Sequence, residues 1–305
     1  MRLFDLHGDT MYECYTKGWS LVKNPGHWDL RRAGRYESCG QIFAVWIPDR
    51  LRGERAWRFC RKVLRFAKIQ EQKSGGFLRF FCKGDDLASL FHGSPCVGML
   101  SVEGGAALAG DLRRIARLSD LGVKAITITW NGENELGRGC LASDKQGLTP
   151  LGKAAIPLME AAGILPDVSH LNEAGFWDVA AAAQKPFIAT HSNAAAVCSH
   201  PRNLTDAQFC EIRRRGGIVG LTLCREFLGE QTFEALERHL YHFLSLGGEQ
   251  VVCLGGDWDG TPLPPDWRGI AVAERMGEYF SRKNYHTDLL EGLFFSNCYN
   301  FFRRL

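Results

Sequence analysis

The sequence predicts an α/β fold of the TIM-type (β/α)8 barrel class. Three observations carry that expectation. Eight short apolar runs occur along the 305 residues, at 2–6, 41–47, 96–102, 125–129, 164–168, 187–190, 218–222 and 251–255. Helical patterns separate most of them. Histidines and carboxylates stand at the C-terminal ends of several runs. Continuous apolar runs suit strands covered on both faces by helices. Strand–helix alternation over eight units is the pattern of a barrel, and a barrel gathers all strand ends around one mouth. An open doubly wound sheet is the alternative, but it would spread those ends along an edge.

The first run leads into His7-Gly8-Asp9. Side chains two apart on a strand point the same way, so one imidazole and one carboxylate leave one face. Residues 24–37 form a longer excursion before the second run. Residues 56–71 carry apolar side chains at helical spacing. The third run, VGMLSV, ends on Glu103. Gly104-Gly105 and Gly255-Gly256 are not phosphate loops, because neither is followed by Gly-Lys-Ser/Thr. Residues 111–121 predict a helix with Asp111 as its acidic cap and Gly122 beyond its end. The fourth run is followed by Trp130-Asn131. Thr149-Pro150 supplies an N-cap and a first-turn proline for the next helix.

After the fifth run, Asp167 and His170 straddle Val168-Ser169, so only one of them need face the centre. An alanine-rich helix spans 172–183, and the sixth run, PFIAT, delivers His191. Thr205-Asp206 opens a helix that Arg215-Gly216-Gly217 closes. The cluster Arg213-Arg214-Arg215 suits the solvated end of that helix, where cations favour the dipole. Residues 232–246 form an amphipathic helix ending at Gly247-Gly248. The last run, VVCLGG, ends at Asp257, and 260–269 is a loop at the mouth. No linker, low-complexity stretch or repeat divides the chain, so residues 1–305 are expected to form one domain.

The net charge of +3 comes with no long basic run, which gives no sign of a nucleic-acid or anionic-membrane partner. Eleven scattered cysteines include no C-x-x-C pair. Several, such as Cys96, Cys224 and Cys253, sit in or beside apolar runs, where cysteine is a small buried hydrophobe. Reduced thiols and a cytoplasmic location are expected. Asp5, His7 and Asp9 break any signal-peptide core, and no stretch reaches the 18 or so apolar residues needed to span a membrane. The expectation is a soluble, complete chain. His27 and His200 are placed near the mouth, and His92, His239, His242 and His286 on the surface or in ordinary packing.

Three histidines (His7, His170, His191) and three carboxylates (Asp9, Glu103, Asp257) therefore stand at the ends of five predicted strands, His7 and Asp9 sharing the first. Imidazole plus carboxylate without thiolate fits Zn²⁺ or another first-row divalent ion in a catalytic site. Six groups exceed the needs of one open zinc. They suffice for two ions sharing a carboxylate, which can hold a hydroxide between them and polarise a carbonyl.

These motifs resemble the renal (membrane) dipeptidase family of zinc metallopeptidases, within the amidohydrolase-like barrels. The resemblance rests on LHGDT at 6–10, HWDLRRAG at 27–34 with GQIFAVWIP at 40–48, SVEGG at 101–105 and GLTPLGKAAIPLMEAAGI at 147–164. It continues through DVSHL at 167–171, THSNA at 190–194, PRNLTD at 201–206 and LGGDWDG at 254–260. It implies that His7 and Asp9 bind one zinc, that His170 and His191 bind the other, and that Glu103 bridges them. It implies that Asp257 moves a proton from the attacking water to the leaving amine, and that Arg202 holds the substrate's free carboxylate. A guanidinium fork suits that task. Dipeptide substrates, tolerance for a C-terminal D-residue and a homodimer are implied in the same way.

One departure stands out. Trp130 occupies the position at which better-known members carry a histidine beside the scissile bond. The expectation is that Trp130 forms a pocket wall and that Asn131 or a neighbour supplies the missing donor. Loss of one oxyanion donor costs about 10²–10³ in turnover. Two other functions follow from that departure: hydrolysis of another small amide, such as a lactam or an N-acyl amino acid, or silent binding of metal and peptide.

Overall fold

A computed structural model describes residues 1–82, 84–143 and 146–305. Its strands are β1 (Leu3–Gly8), β2 (Cys39–Trp46), β3 (Leu78–Phe80), β4 (Cys96–Glu103), β5 (Val123–Thr127), β6 (Leu165–Asp167), β7 (Val219–Leu221) and β8 (Val252–Leu254). The sheet runs β6-β5-β4-β2-β1-β8-β7, with every pairing parallel. Residues 187–190 span the seam between β6 and β7 through two parallel bridges, Asp167 to Ile188 and Ala189 to Val219. The ring is thereby closed, as a (β/α)8 barrel requires.

The sixth predicted strand is thus a stave without a regular ladder. The reason is local. The Thr190 amide donates to the Asp167 carboxylate at 3.0 Å instead of to a neighbouring carbonyl. The barrel is also pinched there: a Cβ added at Gly220 or at Gly255 would lie 2.0 Å from the Thr190 carbonyl oxygen. The three-residue β3 escapes the sequence reading because it is too short to show a period. Among the described residues it pairs only with Cys96–Gly98 at the start of β4, below the stretch that β5 takes over from Leu100.

Two apolar layers share the sheet. Inside the ring, each stave contributes at least one side chain, among them Phe4, Ile42, Met99, Ala125, Ile188 and Cys253. Phe295, Phe301 and Phe302 from the C-terminal helical segment plug the lower end, with Phe302 stacked on Phe4 at 5.9 Å. Outside, the opposite strand faces meet the helices. In the longest helix, Gly53–Lys73, the buried positions Ala56, Trp57, Cys60, Val63, Leu64 and Ala67 recur every three or four residues. That spacing puts them on one stripe.

Helix starts follow the sequence closely. Thr149, Asn172, Thr205 and Thr232 each accept a backbone N–H from the first turn, and Thr205 with Gln208 completes a capping box. Two expectations are corrected. Asp111 does not cap a helix; it binds the Arg113 amide and guanidinium in the turn before the helix Arg114–Asp120. Arg215 is not a solvated helix end; its guanidinium donates to the carbonyls of Ala180 and Ala183, closing the neighbouring helix Glu173–Ala182. All eleven cysteines are free, and Cys96, Cys224 and Cys253 are buried. Among the described residues no helix is long and apolar enough to cross a membrane.

His239 is fully buried, as packing and not surface. Its Nδ1 accepts from the Ala194 amide at 3.1 Å and its Nε2–H donates to the Leu228 carbonyl at 3.2 Å. Burial lowers its pKa to about 4. Between pH 6.5 and 4 the unfolded chain binds the proton that the folded chain refuses. The stabilisation is therefore intact above pH 6.5 and lost as pH falls toward 4. For this one group the loss between pH 7 and pH 5 is about 2 kcal/mol. Urea unfolding of wild type and His239→Gln at both pH values is expected to show a pH slope shallower by about that amount in the variant.

Candidate active site

Four features of the chain aim the polar groups at the mouth. In β1 the register passes from Asp5 opposite Gln41 to Gly8 opposite Phe43, so β1 carries one extra residue. Phe4 and Leu6 face the barrel interior, and strict alternation would send His7 away from it. The bulge re-aims His7 and the following Asp9 inward. Glu103 is the last residue of β4, in register with Trp46 and Thr127. After β6 the Asp167 carboxylate accepts the Ser169 amide at 3.1 Å, and His170 takes a left-handed φ of 68°. Asp257 and Asp259, past β8, are left-handed too, at 59° and 66°. Non-glycine residues in this region are strained and persist where the surroundings over-determine them, typically at functional sites.

The six predicted groups converge. His7 Nε2 lies 3.7 Å from Asp9 Oδ2, 3.7 Å from Glu103 Oε2 and 3.9 Å from Asp257 Oδ1. Glu103 Oε1 lies 2.9 Å from His170 Nε2 and 3.5 Å from His191 Nε2, and those two nitrogens are 2.9 Å apart. The Glu103 carboxylate is thus shared, one oxygen toward each half of the cluster. Ligand atoms of His7, Glu103 and His191 lie within 4.8 Å of one another, as do those of His7, Asp9 and Asp257. His7 belongs to both triads.

The electrostatics show a cage short of positive charge. Burial pushes Glu103 well above the usual carboxylate range, and the neighbouring Asp9 pushes it further. Burial also raises Asp257, to about 6, against the pull of His7. Burial alone would lower His7, but Glu103, Asp9 and Asp257 outweigh it and carry it up to about 10. Burial, with Arg202 and His7 nearby, holds His170 and His191 well below the ordinary histidine value. Among the described residues, His7 Nε2 and Asp9 Oδ1 are buried without a hydrogen-bond partner. Such orphaned groups are costly unless something pairs them. Divalent cations would pair them, and nitrogen with carboxylate oxygen is a donor set that zinc accepts.

Around the cage, a cavity of about 320 Å³ is lined by Trp46, Trp130, Asn131, Glu226 and Phe227, among others. Trp130 meets Trp46 edge-on at 5.0 Å, and Trp46 meets Tyr12 at 4.8 Å, forming an aromatic wall. Asn131 Oδ1 sits 2.8 Å from His170 Nδ1, so this oxygen is engaged with a cage histidine. Arg202 is buried behind His191. It donates to the His191 carbonyl at 3.0 Å and lies over the Phe227 ring at 4.8 Å, and its Nε–H has no partner among the described residues. Asp259 accepts from the His27 amide and from Thr10, tying the mouth loop to the early excursion.

Sequence reasoning missed the support beneath the cage. Asp5 accepts the amides of His7 and Gly256 and the side-chain amide of Gln41. Asp167 does not face the centre. It accepts from Thr127, Ser169 and Thr190 below it. The signal was present in both cases: an aspartate two residues before the next polar position can take that residue's amide.

The model of the membrane dipeptidase family, peptidase family M19, matches residues 1–305. An uncharacterized protein from the pqqA 5′ region of Klebsiella pneumoniae is 32% identical over 237 residues, covering 73% of this chain and 88% of that one. Among solved structures, a dipeptidase AC described as an M19 metallopeptidase superposes with a TM-score of 0.92 at 27% identity, over 100% of this chain and 98% of that one. A metallopeptidase from Rhodobacter sphaeroides, liganded with a phosphinate mimic of the dipeptide L-Ala-D-Ala, superposes with a TM-score of 0.91 at 26% identity, over 100% and 99%. Matched from its first residue to its last, the chain belongs to the membrane dipeptidase family, M19, whose solved neighbours here are metallopeptidases.

Proposed function

We propose that residues 1–305 form one catalytic domain that hydrolyses dipeptides with two zinc ions, including dipeptides ending in a D-residue. The observation that carries the two-ion reading is the division of Glu103, with Oε2 toward His7 and Oε1 toward His170 and His191. His7 and Asp9 would hold one ion, His170 and His191 the other, and Glu103 both. Bound there, the ions supply Lewis acidity toward a carbonyl oxygen and lower the pKa of a water to roughly 7.

The remaining work falls to side chains. Asp257 would accept a proton at its carboxylate and deliver it to the leaving amine nitrogen, the charge on that carboxylate being favoured by any cation held beside it. Arg202 offers its unpartnered Nε–H and its charge to the substrate's free carboxylate. Trp130, with Trp46 and Tyr12, walls the cavity and limits water. Asn131 holds His170 and contributes to the same wall. The dipeptide mimic held by the Rhodobacter sphaeroides relative supports a substrate of that size and, in its D-Ala, the D-residue tolerance.

The test is a zinc titration of metal-depleted protein followed by a panel of L-L and L-D dipeptides. Uptake of two equivalents with turnover of at least one dipeptide of each kind is expected. No turnover of any dipeptide would overturn the reading, and turnover confined to other small amides would redirect it.

A further inference from the structure

We propose that Thr190, backed by Asp167, and Asn131 are positioning residues that fix His191 and His170 as their Nδ1–H tautomers and so turn both Nε2 lone pairs toward Glu103. The inference rests on the metal reading above and concerns what prepares one half of that centre.

The number of protons available at Thr190 and Asn131 fixes both tautomers. Thr190 Oγ1 lies 2.7 Å from Asp167 Oδ2 and 2.9 Å from His191 Nδ1. A hydroxyl has one proton to donate. Asp167 accepts four donors in all: the hydroxyls of Thr127 and Thr190 and the amides of Ser169 and Thr190. Four donors occupy the roughly four lone-pair sites of a carboxylate. The Thr190 proton therefore goes to Asp167, and its oxygen presents a lone pair to His191 Nδ1. That nitrogen must carry the proton, which leaves His191 Nε2 as a lone pair. The longer approach of His7 Nδ1, at 3.4 Å, falls on the same oxygen. His170 obeys the same logic with a different partner, since the Asn131 amide oxygen can only accept from His170 Nδ1 at 2.8 Å.

The consequence is visible at the centre. His170 Nε2, His191 Nε2 and Glu103 Oε1 meet within 3.5 Å, as three acceptors with no proton between them. A cation resolves that convergence. The opposite tautomers would point two N–H groups at each other and exclude one. Thr190 and Asp167 are fully buried, so water does not compete for their bonds. Partners of this kind orient ligating imidazoles, and their loss costs about 10–100-fold in metal affinity.

Thr190→Val keeps the shape and removes the hydroxyl; Thr190→Ser keeps the hydroxyl. Each full-length variant, with Asn131→Ala, is titrated with zinc against a chromophoric chelator. Thr190→Val is expected to weaken one zinc equivalent by about 10–100-fold and to spare the other. Thr190→Ser should restore wild-type uptake, and Asn131→Ala should weaken the same equivalent. Wild-type affinity in Thr190→Val, or a loss in Thr190→Ser as large as in Thr190→Val, overturns the proposal. Should Thr190→Val fail to fold, Asn131→Ala at the half-buried mouth decides, and unchanged uptake there overturns it. A wild-type protein that takes up no zinc would instead remove the metal reading, and the first titration shows this before any variant is made.

Discussion

Asp257→Asn is expected to lower kcat for dipeptide hydrolysis by about 10²–10⁴, the usual worth of a positioned general acid–base group. Asparagine matches the size of aspartate and keeps one oxygen toward the cage, but it cannot take a proton from water. The surroundings hold the residue in place: its backbone is left-handed, its amide donates to the His7 carbonyl at 3.1 Å, and a Cβ at Gly260 would lie 2.3 Å from its Oδ1. The substitution should therefore leave the fold and the metal content unchanged. Steady-state kinetics with metal analysis on the same sample checks this. A kcat within roughly threefold of wild type would remove Asp257 from the proton-transfer role.

Glu103→Gln is expected to do more. Glu103 is the one carboxylate that faces both halves of the cluster, and it is almost fully buried. Glutamine replaces one oxygen with an NH₂ that donates where an acceptor is needed. His7 would then lose one of the carboxylates that offset its burial, and His170 and His191 would lose their shared oxygen or gain a competing N–H. Under the two-zinc reading, metal content should fall from two ions per chain to one or fewer. Without the paired ions the attacking water reverts toward its ordinary pKa, and kcat/KM should fall by at least about 10³. Two tightly held ions in Glu103→Gln would refute the bridging role. Comparing the two variants separates the functions: Asp257→Asn should lose chemistry and keep metal, whereas Glu103→Gln should lose both.

Much of this site was legible in the linear chain because a barrel converts sequence position into spatial position. Glu103, His191 and Asp257 each follow an apolar run, and parallel staves bring run ends to one rim. Helix starts were legible for a similar reason: Thr149, Asn172, Thr205 and Thr232 act within a single turn of chain. Two readings failed, one to a competing partner two residues away and one to a partner some thirty residues back. Asp111 looked like a cap until Arg113 claimed it. Arg215 looked solvated until the carbonyls of Ala180 and Ala183 were found beside it.

The amino-acid sequence was sufficient for the barrel class, for the family and for the six groups whose convergence the structure displays. Each of these is carried by local periodicity, local capping or the order of short motifs. Tertiary structure alone decided that Asp167 braces Thr127, Ser169 and Thr190, that a bulge turns His7 inward, that residues 187–190 close the ring without a ladder, and that Asn131 and Thr190 stand against cage histidines. Most of those outcomes depend on register and on hydrogen bonds between residues tens of positions apart, such as Asn131 with His170 and Thr190 with Asp167. A one-residue shift in pairing reverses every side chain beyond it, and no local pattern records such a shift.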